Sequence, residues 1–358
     1  MKSSILRRAS ISLVLCLGAA GCGTDADLPY LLHLAGGLAA SYGNARPIEC
    51  VLADGAVTPE QADKLRLVLA LRTFAADRLG MTVGDAYANY EDNTGNRVAY
   101  AVTASARDRF EPYRWNFPIV GLYDAKGYFD RALAQQEADR LAARGYDVFV
   151  GEVLGFATFG ILPDPVRASN LELDDFSLAE LILHELTHNT VFKPDDTDFN
   201  ESMATYVGRV AAWRYYEETF GVDSSQAADA RRRIDDLKII DTYVIDLYLT
   251  MRDYYDQPLS SEEKIAGRAA VFDDHRARFD TDYAPRLNEP QRYDYVRDIP
   301  LNNAVILAGV RYQGNLDLYE EAYAALGRDI PAFLALIRDA VKAADSRAWL
   351  AQWLAARS

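Results

Sequence analysis

Residues 177–192 read SLAELILHELTHNTVF, and this run decides the architecture. Ser177 followed three residues later by Glu180 has the form of a capping box that opens a helix. Leu181, Ile182, Leu183 and Leu186 surround that helix with apolar side chains, so the pattern predicts a buried one. Inside it lies His184-Glu185-Leu186-Thr187-His188, the spacing HExxH. Residues four apart share one face of an α-helix, one turn apart. Two imidazoles so placed can ligate one Zn²⁺. Glu185 is one position on, turned off that face, where its carboxylate can act on a water instead of the metal. That is the place of a general base in metal-dependent peptide hydrolysis. The alternative, two surface histidines around a solvated glutamate, fits poorly with so apolar a helix.

A catalytic zinc site needs a third protein ligand. Residues 193–204 read KPDDTDFNESMA. Pro194 and the acidic residues predict a turn, with a new helix from about Asp198 or Phe199. Two antiparallel helices joined by a short loop would bring Glu201, in the first turn of the second, back toward the histidines. Asp195, Asp196 and Asp198 are rivals from the loop, although turn and N-cap roles account for them. The expected ligand set is His184, His188 and Glu201, holding one Zn²⁺ per chain, with Glu185 as the catalytic base.

Working outward, Thr58-Pro59-Glu60-Gln61 marks a helix start. Leu65, Val68, Leu69, Leu71 and Phe74 follow at helical spacing, and Gly80 ends the run. Residues 28–42 and 129–144 also read as helix. Residues 97–104 and 146–151 read as strands, 154–160 as a third, and 115–121 as extended chain with a break at Pro118. From Ser177 on, the pattern is helical almost to the end. The fold expected is therefore α+β and predominantly helical. It has a mixed part at 22–165 and a helical part at 166–358, sharing one core and forming one catalytic unit.

Residues 1–21 have the look of an export signal. Lys2, Arg7 and Arg8 precede a short apolar run, and Ala19-Ala20-Gly21 comes before Cys22. This is similar to a bacterial lipobox, which makes Cys22 the expected lipidation site; an ordinary cleaved signal is the alternative. With Gly23 next, nothing signals inner-membrane retention, so the expected location is the cell envelope, at the outer membrane facing the periplasm. A net charge of −15 over 358 residues argues against a nucleic-acid partner. Three cysteines cannot make a disulfide framework, and Cys50 is expected to be a buried small hydrophobe. Of the four histidines, His33 reads as partly buried and His275 as lying on a solvated helix face. The residues leave the oligomeric state open.

The stretch HELTHNTVFKPDDTDFNESMATYVG at 184–208 resembles the predicted bacterial zinc aminopeptidases, many of them lipoproteins. Their members carry HELAH, an acidic turn and FNExxAxxVG. The likeness also takes in RTFAADRLG at 72–80, WNFPIVG at 115–121 with GYF at 127–129, DVFVGEVLGFATFGILPDP at 147–165 and NNAVILAGVRY at 302–312. Members more often carry a Tyr-Ser-Thr-Leu-Gly-Trp-like run where this chain has 156–161. The resemblance implies a zincin-like, gluzincin-type metallopeptidase with a small sheet packed on the HExxH helix, a peptide substrate, and the ligand and base roles given above. In zincin-like folds an edge strand pairs with extended substrate, and Gly155, Phe156, Ala157 and Thr158 are candidates for it, or else an ordinary sheet strand. Tyr206, Tyr312 and His275 are candidate oxyanion donors. An aminopeptidase also needs an acidic anchor for the substrate amine. Glu152 and Asp164 are available, and nothing in the spacing selects either. An envelope endopeptidase, and a non-catalytic metal-binding lipoprotein, stand as the other readings.

Overall fold

The computed structural model describes residues 25, 27–92, 99–117, 121–153, 163–194 and 196–357. Side-chain caps mark where its helices begin. Asp27 accepts the Tyr30 N–H to open α1 (Leu28–Asn44). A two-residue strand β1 (Arg46–Pro47) and a short helix α2 (Ile48–Ala53) follow. Thr58 and Gln61 form the expected reciprocal capping box of α3 (Pro59–Asp77), and Gly80 takes the positive φ of 64° that the turn after it requires. Next come β2 (Asn89–Glu91), β3 (Ala99–Ser105), β4 (Trp115–Phe117), β5 (Gly121–Tyr123), β6 (Lys126–Tyr128), α4 (Arg131–Ala142), β7 (Asp147–Val153) and β8 (Val166–Arg167). The rest is helical: α5 (Asp175–Thr190), α6 (Thr197–Phe220), α7 (Ser225–Tyr255), α8 (Ser261–Arg278), α9 (Asn303–Gln313), α10 (Leu316–Ala325), α11 (Ile330–Ala340) and α12 (Ser346–Ala355).

The strands make three small sheets among the described residues. In one, β3 pairs antiparallel with β6 and β7; in another, β2 lies between β1 and β8; β4 and β5 form the third. The molecule is thus α+β with helix predominant. The packing departs from the expected sheet on the HExxH helix. The β6-β3-β7 sheet lies against α4 and α9, while α5 packs mainly on α3 and α6. The reason is visible in α5 itself: Phe176, Leu178, Ala179, Ile182, Leu183 and Leu186 are all buried, a surface too wide for one sheet face and covered by helices on two sides.

One apolar cluster runs from Ile48 through α3, α5 and α6 to Leu350 on α12, so residues on both sides of position 165 share it. A second, smaller cluster joins α1, α4 and the β6-β3-β7 sheet. Buried Asp147 on β7 ties that sheet to the helices. It accepts two bonds from Arg268 of α8, at 2.6 and 2.7 Å, and one from the Asn303 backbone at 2.9 Å. Two expectations are corrected here. Cys50 is exposed, because α2 buries Ile48 and Val51 instead. His275 is only 1% exposed. It meets the Tyr243 carbonyl at 3.0 Å, and burial holds its pKa below the usual histidine range. No described helix is long and apolar enough to cross a membrane.

Candidate metal and catalytic site

The helix that carries HExxH starts two residues before its expected cap. Asp174, in extended backbone, accepts the Ser177 N–H at 2.9 Å. Arg292 holds the other oxygen of the same carboxylate at 2.8 Å. The Ser177 hydroxyl lies instead at 3.3 Å from Arg233. An acidic cap outcompetes a hydroxyl here because it can take the N–H and the guanidinium together. Along α5 the apolar side chains are buried, while His184, Glu185 and His188 remain partly accessible.

The second helix is set by its turn. Asp196 caps α6 through the Phe199 N–H at 3.1 Å, which gives that aspartate the N-cap role read from the sequence. The Asn200 amide brackets Lys193, accepting its N–H at 2.8 Å and donating to its carbonyl at 2.7 Å. The Lys193 ammonium donates to the Ala343 and Ala344 carbonyls, and Arg347 sits 3.3 Å from both Asp196 oxygens. Glu201 therefore leaves a turn that is held at both ends.

How closely α5 and α6 approach depends on Gly208, two turns after Glu201 on the same side of α6. A Cβ at Gly208 would stand 2.9 Å from the Glu180 carbonyl oxygen and 3.0 Å from both the Cβ and the N of His184. Backbone cannot yield as a side-chain tip does, so Gly208→Val should push the helices apart at the site. We expect a destabilisation of about 1–3 kcal/mol and metal affinity at least ~10-fold weaker, read by thermal melts and zinc competition. A variant with wild-type affinity would show that the close approach is immaterial. One residue further, Arg209 joins Glu180 at 3.0 Å to Asp241 of α7 at 2.5 and 3.2 Å, a buried bridge across three helices.

Within this frame three ligand atoms converge. His184 Nε2 and His188 Nε2 are 3.1 Å apart. Glu201 Oε2 lies 3.3 Å from the first and 3.7 Å from the second. Tetrahedral zinc with bonds near 2.0–2.1 Å sets neighbouring ligand atoms about 3.3 Å apart, so the donor set and its spacing fit that ion. Among the described residues this is the group of three that could hold a metal. Despite burial, hydrogen bonds from the two histidines hold the Glu201 carboxyl far below the usual carboxylate range. Thr205 Oγ1 is 3.5 Å from His184 Nδ1, leaving His184 Nε2 to the metal side.

A family model described as "Putative aminopeptidase" matches residues 29–349. The chain belongs to this family. No curated protein and no solved structure matches it, so membership, and with it peptidase character, is what likeness establishes. In this aminopeptidase-family chain the remaining candidates separate clearly. The Tyr312 ring, on α9, lies 6.3 Å from that of His184, so α9 forms a wall of the site. Although Tyr312 is 43% exposed, desolvation around its hydroxyl, followed by the charges of Glu201 and Glu185, pushes that group above the usual tyrosine range. Tyr206 is placed elsewhere: its hydroxyl donates to Glu320 at 2.8 Å and its ring packs on Tyr319, Tyr323 and Phe333. Five residues after Glu201, it faces another side of α6, which corrects its selection as a substrate contact. Gly155, Phe156, Ala157, Thr158 and Cys22 lie outside the described residues. Glu152 pairs with Tyr100 across β3 and β7. Asp164 lies within electrostatic reach of Glu185. Tyr87 was not legible as a site residue, because only tertiary packing brings it near Glu185. Gly208 stood in the quoted motif, and its role follows only once α5 lies against it.

Proposed function

We propose that this chain is a zinc aminopeptidase of the cell envelope with a zincin-like catalytic core. The observation that carries the proposal is the spacing of His184 Nε2, His188 Nε2 and Glu201 Oε2. His184, His188 and Glu201 would hold the zinc, whose Lewis acidity would favour deprotonation of a water and polarise the scissile carbonyl. Glu185, next to His184 but turned off the ligand face, takes the proton of the attacking water and returns it to the leaving amine. Tyr312 keeps its proton at neutral pH and can donate to the carbonyl oxygen as negative charge develops there. Export through residues 1–21 and lipid attachment at Cys22 would tether the enzyme at the outer membrane, facing the periplasm. Mass spectrometry of the mature N-terminus checks that point, and an unlipidated Cys22 would refute it.

The test of the activity is digestion of peptide amides by zinc-loaded protein. Peptides with a free N-terminus should lose their first residue, and N-acetylated ones should resist. Internal cleavage of both would make the enzyme an endopeptidase. Stoichiometric metal with no cleavage of either would favour a non-catalytic metal protein.

A further inference from the structure

Within electrostatic reach of Glu185 lies a second group of side chains, drawn from α1 and from the segments that lead into β2 and β8. Tyr42 on α1 donates its hydroxyl to Asp164 Oδ1 at 2.5 Å. The Tyr87 N–H donates to the Asp164 backbone carbonyl at 2.7 Å. Tyr87 has a φ of 57°, rare for a bulky residue, and is only 3% exposed. Among the described residues nothing hydrogen-bonds its hydroxyl. The charges of Glu185 and Asp164 both act on that hydroxyl, and with burial they keep it protonated. A phenol hydroxyl with no partner among the described residues, beside two carboxylates, leaves this group richer in acceptors than in donors.

Charge points the same way. Arg167 is the cation whose field reaches Asp164, but it is bound to Glu91 at 3.2 Å. Arg167 keeps a buried Nη1 without a partner but makes no hydrogen bond to Asp164, which together with Glu185 adds two carboxylates to the Arg167–Glu91 pair. Burial pushes the Asp164 carboxyl up to about 6, against the Tyr42 hydrogen bond and the Arg167 charge, and Glu185 adds to the rise. Among the described residues no cation hydrogen-bonds Asp164, whose recorded side-chain partner is the Tyr42 hydroxyl.

We propose that Asp164 receives the free α-ammonium group of the peptide substrate, with the Tyr87 hydroxyl as a second acceptor and Tyr42 holding the carboxylate in place. An ammonium offers one charge and three donors, whereas an acylated N-terminus offers no charge and one donor. Because Asp164 lies within electrostatic reach of the base, an amine held there would place the N-terminal residue of a peptide beside the bond being cut. The inference rests on the peptidase reading and deepens it, assigning the exopeptidase preference to a residue.

The experiment compares zinc-loaded wild type with Asp164→Asn. Hydrolysis is followed on leucine p-nitroanilide and its N-acetyl derivative, and binding of leucinamide and N-acetyl-leucinamide is measured by calorimetry. In Asp164→Asn we expect KM for the free-amine substrate and Kd for leucinamide to rise at least about 10-fold, the scale of a lost charge partner. The preference for free over acetylated ligand should collapse toward unity. Unchanged leucinamide affinity in the variant overturns the proposal, as does a wild type that binds both amides equally. If the wild type cleaves neither anilide, the peptidase reading fails and the binding measurements alone decide Asp164. Circular dichroism checks folding. Should Asp164→Asn not fold, Tyr42→Phe removes the hydrogen bond that aims the carboxylate. It should weaken leucinamide several-fold, and wild-type affinity there also overturns the proposal.

Discussion

Glu185→Gln should bind zinc as the wild type does, melt within a few degrees of it, and turn over peptide at least about 10²-fold more slowly, the usual contribution of a positioned general base. The residue follows His184, so it is rotated about 100° from the first ligand and takes no place in the converging trio. Gln keeps the shape and one acceptor oxygen but cannot accept the proton. The loss should fall on kcat, because substrate contacts made elsewhere are untouched. Metal content and rate must be measured on one preparation. Wild-type turnover in the zinc-loaded Gln variant would leave Glu185 as a solvated helix carboxylate with no part in the chemistry.

Removing a ligand should act one step earlier. His184→Ala, His188→Ala and Glu201→Ala are each expected to lower zinc affinity by at least about 10²-fold, because two remaining donors hold the ion poorly. Activity should follow the metal. The loaded wild type should also release its ion as pH falls through the histidine range, since protons compete for the same ring nitrogens. The contrast with the neighbouring aspartates is the discriminating part. Asp196 caps α6 and faces Arg347, and Asp198 lies 3.5 Å from Arg311. Asp196→Ala should therefore cost about 1 kcal/mol of stability while zinc is kept. Zinc retained in Glu201→Ala but lost in Asp198→Ala, by metal analysis after dialysis, would move the third ligand into the loop.

The parts of the site that are local in sequence were legible in it. HExxH needs only the helical period to place two imidazoles together, and a turn followed by a helix start is enough to bring Glu201 back. The capping box at Thr58 and the strand at 99–105 were readable for the same reason. What was not legible depends on contacts between distant segments. Asp174 displaces Ser177 as the cap because Arg292, far along the chain, also needs its carboxylate. Tyr206 and Tyr312 look equally suitable as donors until the packing turns one toward Glu320 and the other toward His184. His275, flanked by Asp273 and Asp274, has the sequence of a solvated face, yet it is sealed by Tyr243 and Tyr283. The helical setting of α5 is likewise a tertiary outcome, since an all-round apolar surface says that a helix is buried without saying by what.

The clasp on the turn between α5 and α6 is closed by residues that are synthesised long after it. A chain synthesised only as far as residue 340 already contains both histidines, Glu185 and Glu201. It still lacks the Ala343 and Ala344 carbonyls that grip Lys193 and the guanidinium of Arg347 that faces Asp196. Until those residues arrive, the start of α6 has its Asp196 cap and its Asn200 bracket but not the outer grip on either end of the turn from which Glu201 leaves. The candidate site is thus moored by a segment some 150 residues downstream of the turn it steadies.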